Sequence, residues 1–460
     1  MRGSASVQDS ILDAIGHTPM VRLPRGFDPQ VRCEILLKCE FTNPGGSVKD
    51  RIALYMVREA ERKGLLKPGG RIVECSSGNT GFGLCMVAAA LGYRITIVIP
   101  DKMSREKIGA LRALGGDVVV TPANVTVDHP QHYTQVAGRI ARETGGWWPN
   151  QYHNPDNAWA HYYSTAPEIW EQVGGEMDAF VCGVGTGGTF TGIARYLKEQ
   201  DPAVRCVGVD PPGSILYEYW KSGRIPEAQP YAVEGVGMEE VPGAWDKGLV
   251  DEFHVVEDSE SFALARRLAA TTGVFGGGSS GFALAGALRS ARGLPADARV
   301  VVLLPDYGKA YLSKTFSEDW LRDRRFLPPT PAATATVADL VRDRERAHVS
   351  PNDLLSGAVL QIGERGVRPL PVVAPDGGLL GVLDEDAALR RLAAGEDLAR
   401  LPVREHVVPA PPVLEPGAPW TAALAALGAR EAVLVRHADG GFVPLDRRDL
   451  LQSLRRLSHR

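Results

Sequence analysis

Lys49 has sequence neighbours that suit chemistry with an aldehyde. It lies in the segment NPGGSVKDR, residues 43–51. A lysine on a short, rigid approach can form an imine with an aldehyde and can later serve as a base. An isolated lysine at the start of a helix is more often a solvated side chain. Three other segments of the chain decide between these two interpretations.

A glycine-rich segment farther along the chain has the pattern of an anion-binding turn. It consists of Gly185, Thr186, Gly187, Gly188 and Thr189. The segment follows a short apolar run at 179–182 and precedes a helical pattern, so its N–H groups and the helix dipole can bind a phosphate without an arginine. A purely structural strand-to-helix turn is the alternative. The two threonine hydroxyls favour phosphate.

Two further turns place hydroxyl and amide groups at predicted helix starts. The turn that can bind a carboxylate comprises Ser76, Ser77, Gly78, Asn79 and Thr80. Asn79 can also donate to a ring oxygen of a cofactor, and Ser279, in the run GGGSSG at 276–281, to a ring nitrogen. A neutral donor leaves that nitrogen unprotonated, which favours elimination and replacement at a β-carbon over transamination. Helix capping by the same side chains is the alternative.

Pyridoxal phosphate is a cofactor that needs all four of these segments. It requires an imine-forming lysine, a phosphate cradle, donors to its ring, and donors to the carboxylate of its substrate. The sequence therefore predicts chemistry on amino acids.

The elements that must hold these segments alternate along the chain. From about residue 30 to 320, apolar runs of strand length alternate with amphipathic stretches, which predicts an α/β fold with a parallel sheet and covering helices. A helix is predicted after Asp50, with Ile52, Met56 and Ala60 on its apolar face. Buried strands are predicted at 72–75, 95–99, 118–120, 179–182, 207–209 and 300–304.

The rest of the chain is predicted to form a separate module. A segment rich in proline and small residues, 328–336, divides a catalytic domain at 1–327 from a C-terminal module at 337–460. The stretches 337–392 and 403–454 each show an apolar strand, a helix, a second strand, an Asp-Gly turn, a third strand and a closing helix. This module is predicted to be a tandem repeat.

The composition restricts the partners and the location that we expect. The 460-residue chain has a formal net charge of -4 and is 44% hydrophobic, so small molecules are expected as partners, and neither nucleic acid nor an anionic membrane. It shows no signal-peptide pattern and no apolar run of membrane-spanning length, which predicts a cytoplasmic protein. The six cysteines lack zinc or redox spacing and are expected to be buried thiols. No metal site is predicted.

The four segments, in this order and spacing, resemble the fold type II pyridoxal-phosphate enzymes, which include cysteine synthase and cystathionine β-synthase. The resemblance covers residues about 10–327 and implies two open sheets with covering helices. It implies that Lys49 forms the imine and that the turn at 185–189 holds the phosphate. It also implies that Asn79 contacts the ring oxygen and Ser279 the ring nitrogen. The residues implied at the substrate carboxylate are Ser76, Ser77, Gly78, Asn79 and Thr80.

Finer features resemble the cystathionine β-synthase branch of this family. They are the segment GVDPPGSIL at 208–216, the segment LPDYG at 304–308 and the glycine-rich turn at 276–281. Glu234 stands where sulfhydrylases tend to carry glutamine, and a carboxylate near Lys49 suits the loss of hydroxide from serine. Tyr152 resembles the active-site tyrosine of this branch. The animal relatives have a haem-binding extension that this chain lacks, so no haem is expected.

The same resemblance implies a β-replacement in transsulfuration, in which L-serine and L-homocysteine give L-cystathionine and water. Met238, after Gly237 in the substrate region, stands where animal members carry tyrosine, and Cys75-Ser76 replaces a proline and a threonine. The alternative is therefore a cysteine synthase-like reaction of O-acetylserine or O-phosphoserine with sulfide or another nucleophile. A non-catalytic sensor is a further alternative, which the intact Lys49 disfavours. A homodimer through the catalytic domain is implied.

The C-terminal module resembles a pair of CBS domains, a regulatory module that binds adenosyl ligands. At the positions of the ribose-binding hydroxyl and carboxylate, the first repeat has Asp384 and Ala387, and the second has Asp446 and Asp449. Acidic side chains at the hydroxyl positions disfavour ATP and AMP. S-adenosylmethionine bound at Asp449 and a ligand-free role in assembly are the two remaining interpretations.

Overall fold

A computed structural model describes residues 7–76, 78–101, 105–126, 129–327, 335–342, 344, 346–428, 430–437 and 441–458. The chain divides into two compact units, Met1–Glu318 and Asp319–Arg460. The predicted linker at 328–336 lies mostly outside the described residues, so its boundaries stay a prediction.

The larger sheet of the first unit has the strand order β1-β2-β9-β6-β7-β8. All neighbouring strands are parallel except β1 and β2, which pair antiparallel. Its strands are β1 Met20–Arg22, β2 Glu34–Cys39, β6 Ala179–Gly183, β7 Arg205–Asp210, β8 Glu252–Val255 and β9 Arg299–Leu304. Phe180, Ile193 and Leu303 belong to the buried apolar cluster around this sheet.

A second, smaller sheet in the same unit is parallel throughout, with the order β3-β4-β5. Its strands are β3 Arg71–Cys75, β4 Arg94–Pro100 and β5 Asp117–Thr121. Ile72, Leu84 and Ile97 belong to its own buried cluster. The two sheets confirm the six predicted strands and the α/β class, and the unit has two separate apolar cores.

Helices connect the strands of both sheets. Those of the first unit are α1 Lys49–Arg62, α2 Asn79–Leu91, α3 Arg105–Ala113, α4 Tyr133–Thr144, α5 Asp156–Ala160, α6 Ala166–Gln172, α7 Gly188–Gln200, α8 Leu216–Ser222, α9 Asp258–Thr272 and α10 Gly278–Ala291, with α11 Glu318–Asp323 starting at its last residue. A π-helical turn, His161–Thr165, joins α5 to α6. The predicted helix after Asp50 is confirmed, since Ile52, Met56 and Ala60 are buried on α1.

The second unit contains two three-stranded sheets, ordered β10-β11-β12 and β13-β14-β15. The strands are β10 Pro371–Val373, β11 Leu379–Leu383, β12 Val407–Val408, β13 Val413–Leu414, β14 Ala432–Arg436 and β15 Phe442–Asp446. The helices are α12 Val337–Val341, α13 Leu355–Arg365, α14 Glu385–Ala393, α15 Trp420–Gly428 and α16 Arg447–Ser458. The two sheets do not coincide with the two predicted repeats, because β12, from the stretch 403–454, pairs with β11, and α12, from the stretch 337–392, packs in the buried cluster of the second sheet.

The predicted strand at the start of the first repeat was wrong, because Val337–Val341 is helical. Thr336 and Asp339 form a capping box, in which the Thr336 N–H donates to the Asp339 carboxylate over 2.8 Å. Such a box satisfies free N–H groups at a helix start and outweighs the strand preference of valine. The predicted turn at 439–440 lies outside the described residues.

Some general properties of the chain are also visible. All six cysteines are buried free thiols, as predicted. Within the described ranges, no helix is long and apolar enough to cross a membrane. The same ranges contain no group of three or more His, Cys, Asp or Glu side chains that could hold a metal ion.

Candidate active site

Three of the four predicted segments meet at one cavity of the first unit, which has a volume of about 410 Å³ when the solvent at its mouth is included. Lys49, Ser279 and the glycine-rich turn supply its polar lining. The lining residues are Val48, Lys49, Cys182, Gly183, Gly185, Thr186, Gly187, Thr189, Phe190, Gly235, Val236, Ser279, Leu303 and Pro305. The cavity thus brings together residues that lie as far apart in sequence as Lys49 and Ser279.

Lys49 is the first residue of α1, and the chain around it is firmly held. The Val48 N–H donates to the carbonyl oxygen of Pro305 over 2.8 Å. The Asp50 carboxylate accepts from the Gly45 N–H at 2.6 Å. Burial lowers the pKa of the Lys49 amine, although Cys182 and Asp306 partly oppose this shift. A lower pKa increases the neutral fraction of the amine, which is its nucleophilic form.

The glycine-rich turn connects the end of β6 to the start of α7, so that the N-terminus of a 13-residue helix points its dipole at the cavity. Gly187 has a φ of +82°, and a Cβ there would lie 2.2 Å from the Cβ of Trp245. A Cβ on Gly188 would lie 2.1 Å from Asn157 Oδ1. Both positions therefore require glycine, and the turn fits the phosphate cradle that the sequence predicts.

Asp306 forms hydrogen bonds with both residues that are predicted to contact the cofactor ring, Asn79 and Ser279. It lies just beyond the carboxyl end of β9 and accepts hydrogen bonds from Asn79 Nδ2 at 2.8 Å and from Ser279 Oγ at 3.2 Å. The Tyr311 hydroxyl donates to it over 2.5 Å. Burial raises the pKa of the Asp306 carboxyl, while the three donors act in the opposite direction. Asn79 and Ser279 are thus held by the same buried group.

The predicted carboxylate turn lies at the start of α2, and its hydroxyls have protein partners. Ser76 Oγ accepts from the N–H groups of Gly78, at 3.3 Å, and Gly81, at 3.0 Å. The Thr80 hydroxyl donates to Gln151 Oε1 over 2.6 Å. Ser77 lies outside the described residues. Capping accounts for Ser76, and carboxylate binding by this turn stays a prediction.

Glu234 precedes two lining residues, Gly235 and Val236, but is bound to lysines other than Lys49. Its carboxylate forms ion pairs with Lys107 at 2.7 Å and with Lys314 at 2.5 Å. Burial acts to raise the pKa of Glu234, but the two lysines outweigh it and hold this pKa below its ordinary value. Glu234 is therefore ionised at neutral pH.

The other predicted substrate residues lie outside the cavity lining. Tyr152 shares a hydrogen bond with Tyr133, and burial raises its pKa well above the ordinary value. Gly237 has a φ of +73°, which suits glycine. Met238 packs, half-buried, against the core of the larger sheet, and its N–H donates to Ser214 Oγ over 3.0 Å. Their roles toward a substrate stay predictions.

Asp306, Asn157 and His161 were not predicted from the sequence as individual site residues. Asp306 follows the predicted strand at 300–304, and the carboxyl ends of parallel strands are where α/β sheets bind ligands. Asn157 and His161 contact the threonines of the phosphate turn. Their spacing of four residues predicts that they lie on the same side of a helix, but it does not predict which residues they contact.

In the second unit, the predicted regulatory residue Asp449 already has partners. Its carboxylate accepts from Arg344 Nη1 at 2.6 Å, and Arg344 Nη2 donates to its other oxygen. The Asp446 N–H also donates to it, over 3.1 Å. In the first repeat, Asp384 caps α14 through the Ala387 N–H at 2.9 Å.

The two sheets, the half-buried lysine in the cavity and the glycine cradle define an enzyme that uses pyridoxal phosphate. Residues 11–306 match the family described as pyridoxal-phosphate dependent enzyme. Cystathionine beta-synthase of Mus musculus is 42% identical over 404 residues, which cover 85% of this chain and 71% of the mouse protein. The chain belongs to the cysteine synthase and cystathionine β-synthase family of these enzymes.

Solved structures resemble the chain over the catalytic part of the sequence. O-ureido-L-serine synthase is 39% identical with a TM-score of 0.63, covering 69% of this chain and 99% of that one. The O-acetylserine dependent cystathionine beta-synthase from Helicobacter pylori is 38% identical with a TM-score of 0.62, covering 67% of this chain and 98% of that one. The first is named for the O-substituted serine that it makes, and the second for its dependence on O-acetylserine.

Proposed function

We propose that this protein catalyses the replacement of the β-hydroxyl of L-serine by the thiol of L-homocysteine, which gives L-cystathionine and water. It would act as a hydro-lyase in cysteine biosynthesis. The observation that carries the proposal is the cavity in which Lys49, the turn at 185–189 and Ser279 meet. The similarity to the mouse cystathionine beta-synthase supports cystathionine as the product.

Pyridoxal phosphate, when bound, supplies an aldehyde for the lysine and a ring that takes up electrons from the α-carbon. Lys49 would hold the cofactor through its aldehyde, and its free amine would then remove the α-proton of the substrate. The turn at 185–189 would hold the phosphate through N–H groups and hydroxyls. Asp306 would keep the Asn79 amide in place for the ring, whereas the Ser279 hydroxyl, whose single proton Asp306 accepts, would have to turn that proton to the ring nitrogen.

Lys49 also provides a proton for the departing hydroxide. Hydroxide leaves readily only as water, so a proton donor must stand near the β-carbon. Glu234 is ionised and bound to Lys107 and Lys314, so it has no proton to give. Lys49 carries the proton that it took from the α-carbon and can deliver it. After the thiol adds, Lys49 returns a proton to the α-carbon, received from the thiol.

The alternative is the same replacement on an O-acylated or O-phosphorylated serine with sulfide or another nucleophile. It is favoured by Met238, since a packed methionine stands where the animal enzymes carry tyrosine. The similarity to the O-acetylserine dependent Helicobacter pylori enzyme also supports it.

Product analysis separates the two reactions. The purified protein is incubated with serine, O-acetylserine or O-phosphoserine, each with homocysteine or sulfide, and products are identified by mass spectrometry. Cystathionine from serine supports the proposal, and products from an activated serine alone support the alternative. Lys49→Ala is the negative control and should lose both product and the visible imine band. Lys198→Ala, an ion-paired lysine outside the cavity, should keep both.

We further propose that residues 337–460 form a tandem CBS-domain module. The two three-stranded sheets with their helices support this. S-adenosylmethionine at Asp449 would have to displace Arg344, because the guanidinium occupies both carboxylate oxygens. Calorimetric titration tests this: Arg344→Ala should strengthen binding of S-adenosylmethionine and Asp449→Ala abolish it. No heat from either the natural protein or Arg344→Ala would reject the site.

We also propose that the protein is a homodimer, as the family resemblance implies. Analytical ultracentrifugation of the full-length protein measures its mass directly. Sedimentation as a 49.5 kDa species at micromolar concentration would contradict this.

A further inference from the structure

Two buried side chains stand directly behind the threonine hydroxyls of the phosphate turn. Asn157 Nδ2 lies 3.1 Å from Thr186 Oγ1, and His161 Nε2 lies 3.1 Å from Thr189 Oγ1. Both threonines line the cavity. Asn157 and His161 are fully buried and four residues apart, so they lie on the same side of one helical segment formed by α5 and the π-helical turn.

Close packing fixes this helical segment against α7. A Cβ on Gly188 would lie 2.1 Å from Asn157 Oδ1, and one on Gly192 would lie 2.1 Å from the carbonyl oxygen of Ala158. The backbones therefore approach as closely as glycine permits. Asn157 and His161 cannot move away from the turn without disturbing the contact between the two helices.

The amide of Asn157 has one orientation. The nitrogen that lies near Thr186 is also 2.7 Å from the carbonyl oxygen of Gln151, which can only accept. The nitrogen therefore donates to both oxygens, and Thr186 Oγ1 acts as the acceptor. Because a hydroxyl carries a single proton, the proton of Thr186 remains free to point into the cavity.

The protonation of His161 determines whether the Thr189 hydroxyl can donate its proton into the cavity. Burial lowers its pKa well below the ordinary value, and the nearby charges of Lys49 and Arg51 add to this effect. The ring is therefore neutral, with one donor and one acceptor nitrogen. Its Nδ1 lies 2.8 Å from Thr165 Oγ1. The proton is on Nε2 or on Nδ1, and the two tautomers have opposite effects on Thr189.

With the proton on Nε2, the ring donates to Thr189 and leaves the threonine proton for the cavity. With the proton on Nδ1, Thr189 must donate to Nε2 and would present only lone pairs to an anion. A phosphate in the cavity is stabilised by the first arrangement and repelled by the second. Phosphate binding and the tautomer are thus coupled.

We propose that Asn157 and His161 are positioning residues that direct the hydroxyl protons of Thr186 and Thr189 toward the phosphate of the cofactor, with His161 fixed as the Nε2–H tautomer. The proposal rests on the proposed use of pyridoxal phosphate. It does not depend on which amino acid or nucleophile reacts.

Neutron diffraction from crystals of the deuterium-exchanged holoenzyme tests the tautomer directly. Deuterium is expected on Nε2 of His161, and the Thr186 and Thr189 deuterium atoms are expected to point at the phosphate. Deuterium on Nδ1 with a bare Nε2 would overturn the proposal. The result concerns a bound cofactor and not a product, so it stands or falls separately from the reaction assigned above.

Substitution tests the energetic role. His161→Gln should weaken pyridoxal phosphate binding by about tenfold or more, since a hydrogen bond to a charged group is lost or misdirected, and should shift the ³¹P resonance of the cofactor. His254→Gln is the matched control. His254 Nε2 lies 2.8 Å from Ser290 Oγ, burial lowers the pKa of this ring too, and it lies outside the cavity lining. This control should change neither quantity.

A double-mutant cycle distinguishes positioning from general packing. Thr189→Val removes the hydroxyl but keeps the size of the side chain. If His161 acts through Thr189, His161→Gln should cost little further cofactor affinity in the Thr189→Val background. Equal losses in both backgrounds, with both proteins folded by circular dichroism, would show that His161 only packs and would reject its proposed role.

Discussion

Lys49 and Cys182 line the same cavity, and their different titration explains which of them reacts with an aldehyde. Burial raises the pKa of the Cys182 thiol to about 12, so the thiol stays protonated. Burial lowers the pKa of the Lys49 amine and increases its neutral fraction. The same loss of water disfavours the charged form of each group, which for a thiol is the reactive form and for an amine is the unreactive one.

Asp306 is the residue whose neutralisation should disturb the site most without touching Lys49. The Asp306 carboxylate accepts hydrogen bonds from Asn79, Ser279 and Tyr311. In Asp306→Asn, the new NH₂ group would face at least one of these donors and leave it without an acceptor. We expect a loss of about 1–3 kcal/mol in the stability of the first unit and weaker cofactor binding. Thermal unfolding and titration with pyridoxal phosphate measure the two effects.

Asp210→Asn is the matched control for this substitution. Burial raises the pKa of Asp210 to about 7, and its carboxylate accepts from the Tyr217 N–H outside the cavity lining. It should lower stability while cofactor affinity remains. Equal loss of cofactor affinity in both variants would contradict a specific role for Asp306.

Substitution by alanine should change the stability of the first unit in opposite directions at Gly192 on α7 and at Gly109 on α3, because only Gly192 is tightly packed. Gly192→Ala would place a Cβ 2.1 Å from the backbone oxygen of Ala158, whereas a Cβ on Gly109 meets nothing within 4 Å. We expect Gly192→Ala to destabilise the first unit by more than ~1 kcal/mol. Gly109→Ala should stabilise α3 by up to about 1 kcal/mol. Chemical denaturation measures both, and equal effects would show that α5 and α7 can separate freely.

A buried charge cluster connects α1, β2 and α6 and should make stability depend on pH. Glu168 binds Lys38 at 2.9 Å and Arg51 at 2.7 Å. Burial acts to raise the pKa of Glu168, but Arg51 and Lys38 reverse this and bring it to about 2. A carboxyl whose pKa is lower in the folded state stabilises the protein above its unfolded pKa, and this contribution disappears as the pH falls through its folded pKa.

Glu168→Gln should therefore lower the free energy of unfolding by on the order of 3 kcal/mol at neutral pH. The difference from the natural protein should shrink between about pH 4.5 and pH 2, since both proteins then lack the charge. Denaturation at several pH values measures it. Glu171→Gln, an exposed carboxyl on the same helix, should show little effect, and a pH-independent loss in Glu168→Gln would refute the electrostatic cause.

The elements were largely predictable from the sequence, while their contacts were not. The six strands follow from apolar runs of the right length, and the glycine turn from its place between a strand and a helix. Asn79, which donates a hydrogen bond to Asp306, is 227 positions away from it in sequence. Lys107, which forms an ion pair with Glu234, is 127 positions away from it. Such pairs depend on how the two sheets pack. The helix at Val337 was missed because the capping box was not weighed against β-branched residues.

On the scale of the whole chain, the first unit should fold without the second. It has its own apolar cores. Two solved structures align with only 67–69% of this chain, yet the alignment includes 98–99% of each of those proteins. We expect a fragment of residues 1–327, which contains the first unit and ends at the predicted domain boundary, to unfold cooperatively and to show the visible imine band after addition of pyridoxal phosphate. Lys49→Ala in the same fragment is the control without the band. A fragment that aggregates or remains unfolded would show that the C-terminal part is required.

The two sheets of the first unit, with the segments that follow their strands, are connected by two kinds of bond. Lys107, on the helix between β4 and β5, binds Glu234, which lies beside the larger sheet, and both side chains are partly exposed. Asn79, after β3, binds the buried Asp306, after β9. Dissolved ions weaken the first bond and leave the second nearly unchanged. We therefore expect higher ionic strength to weaken the contact between Lys107 and Glu234, while the contact between Asn79 and Asp306 is preserved.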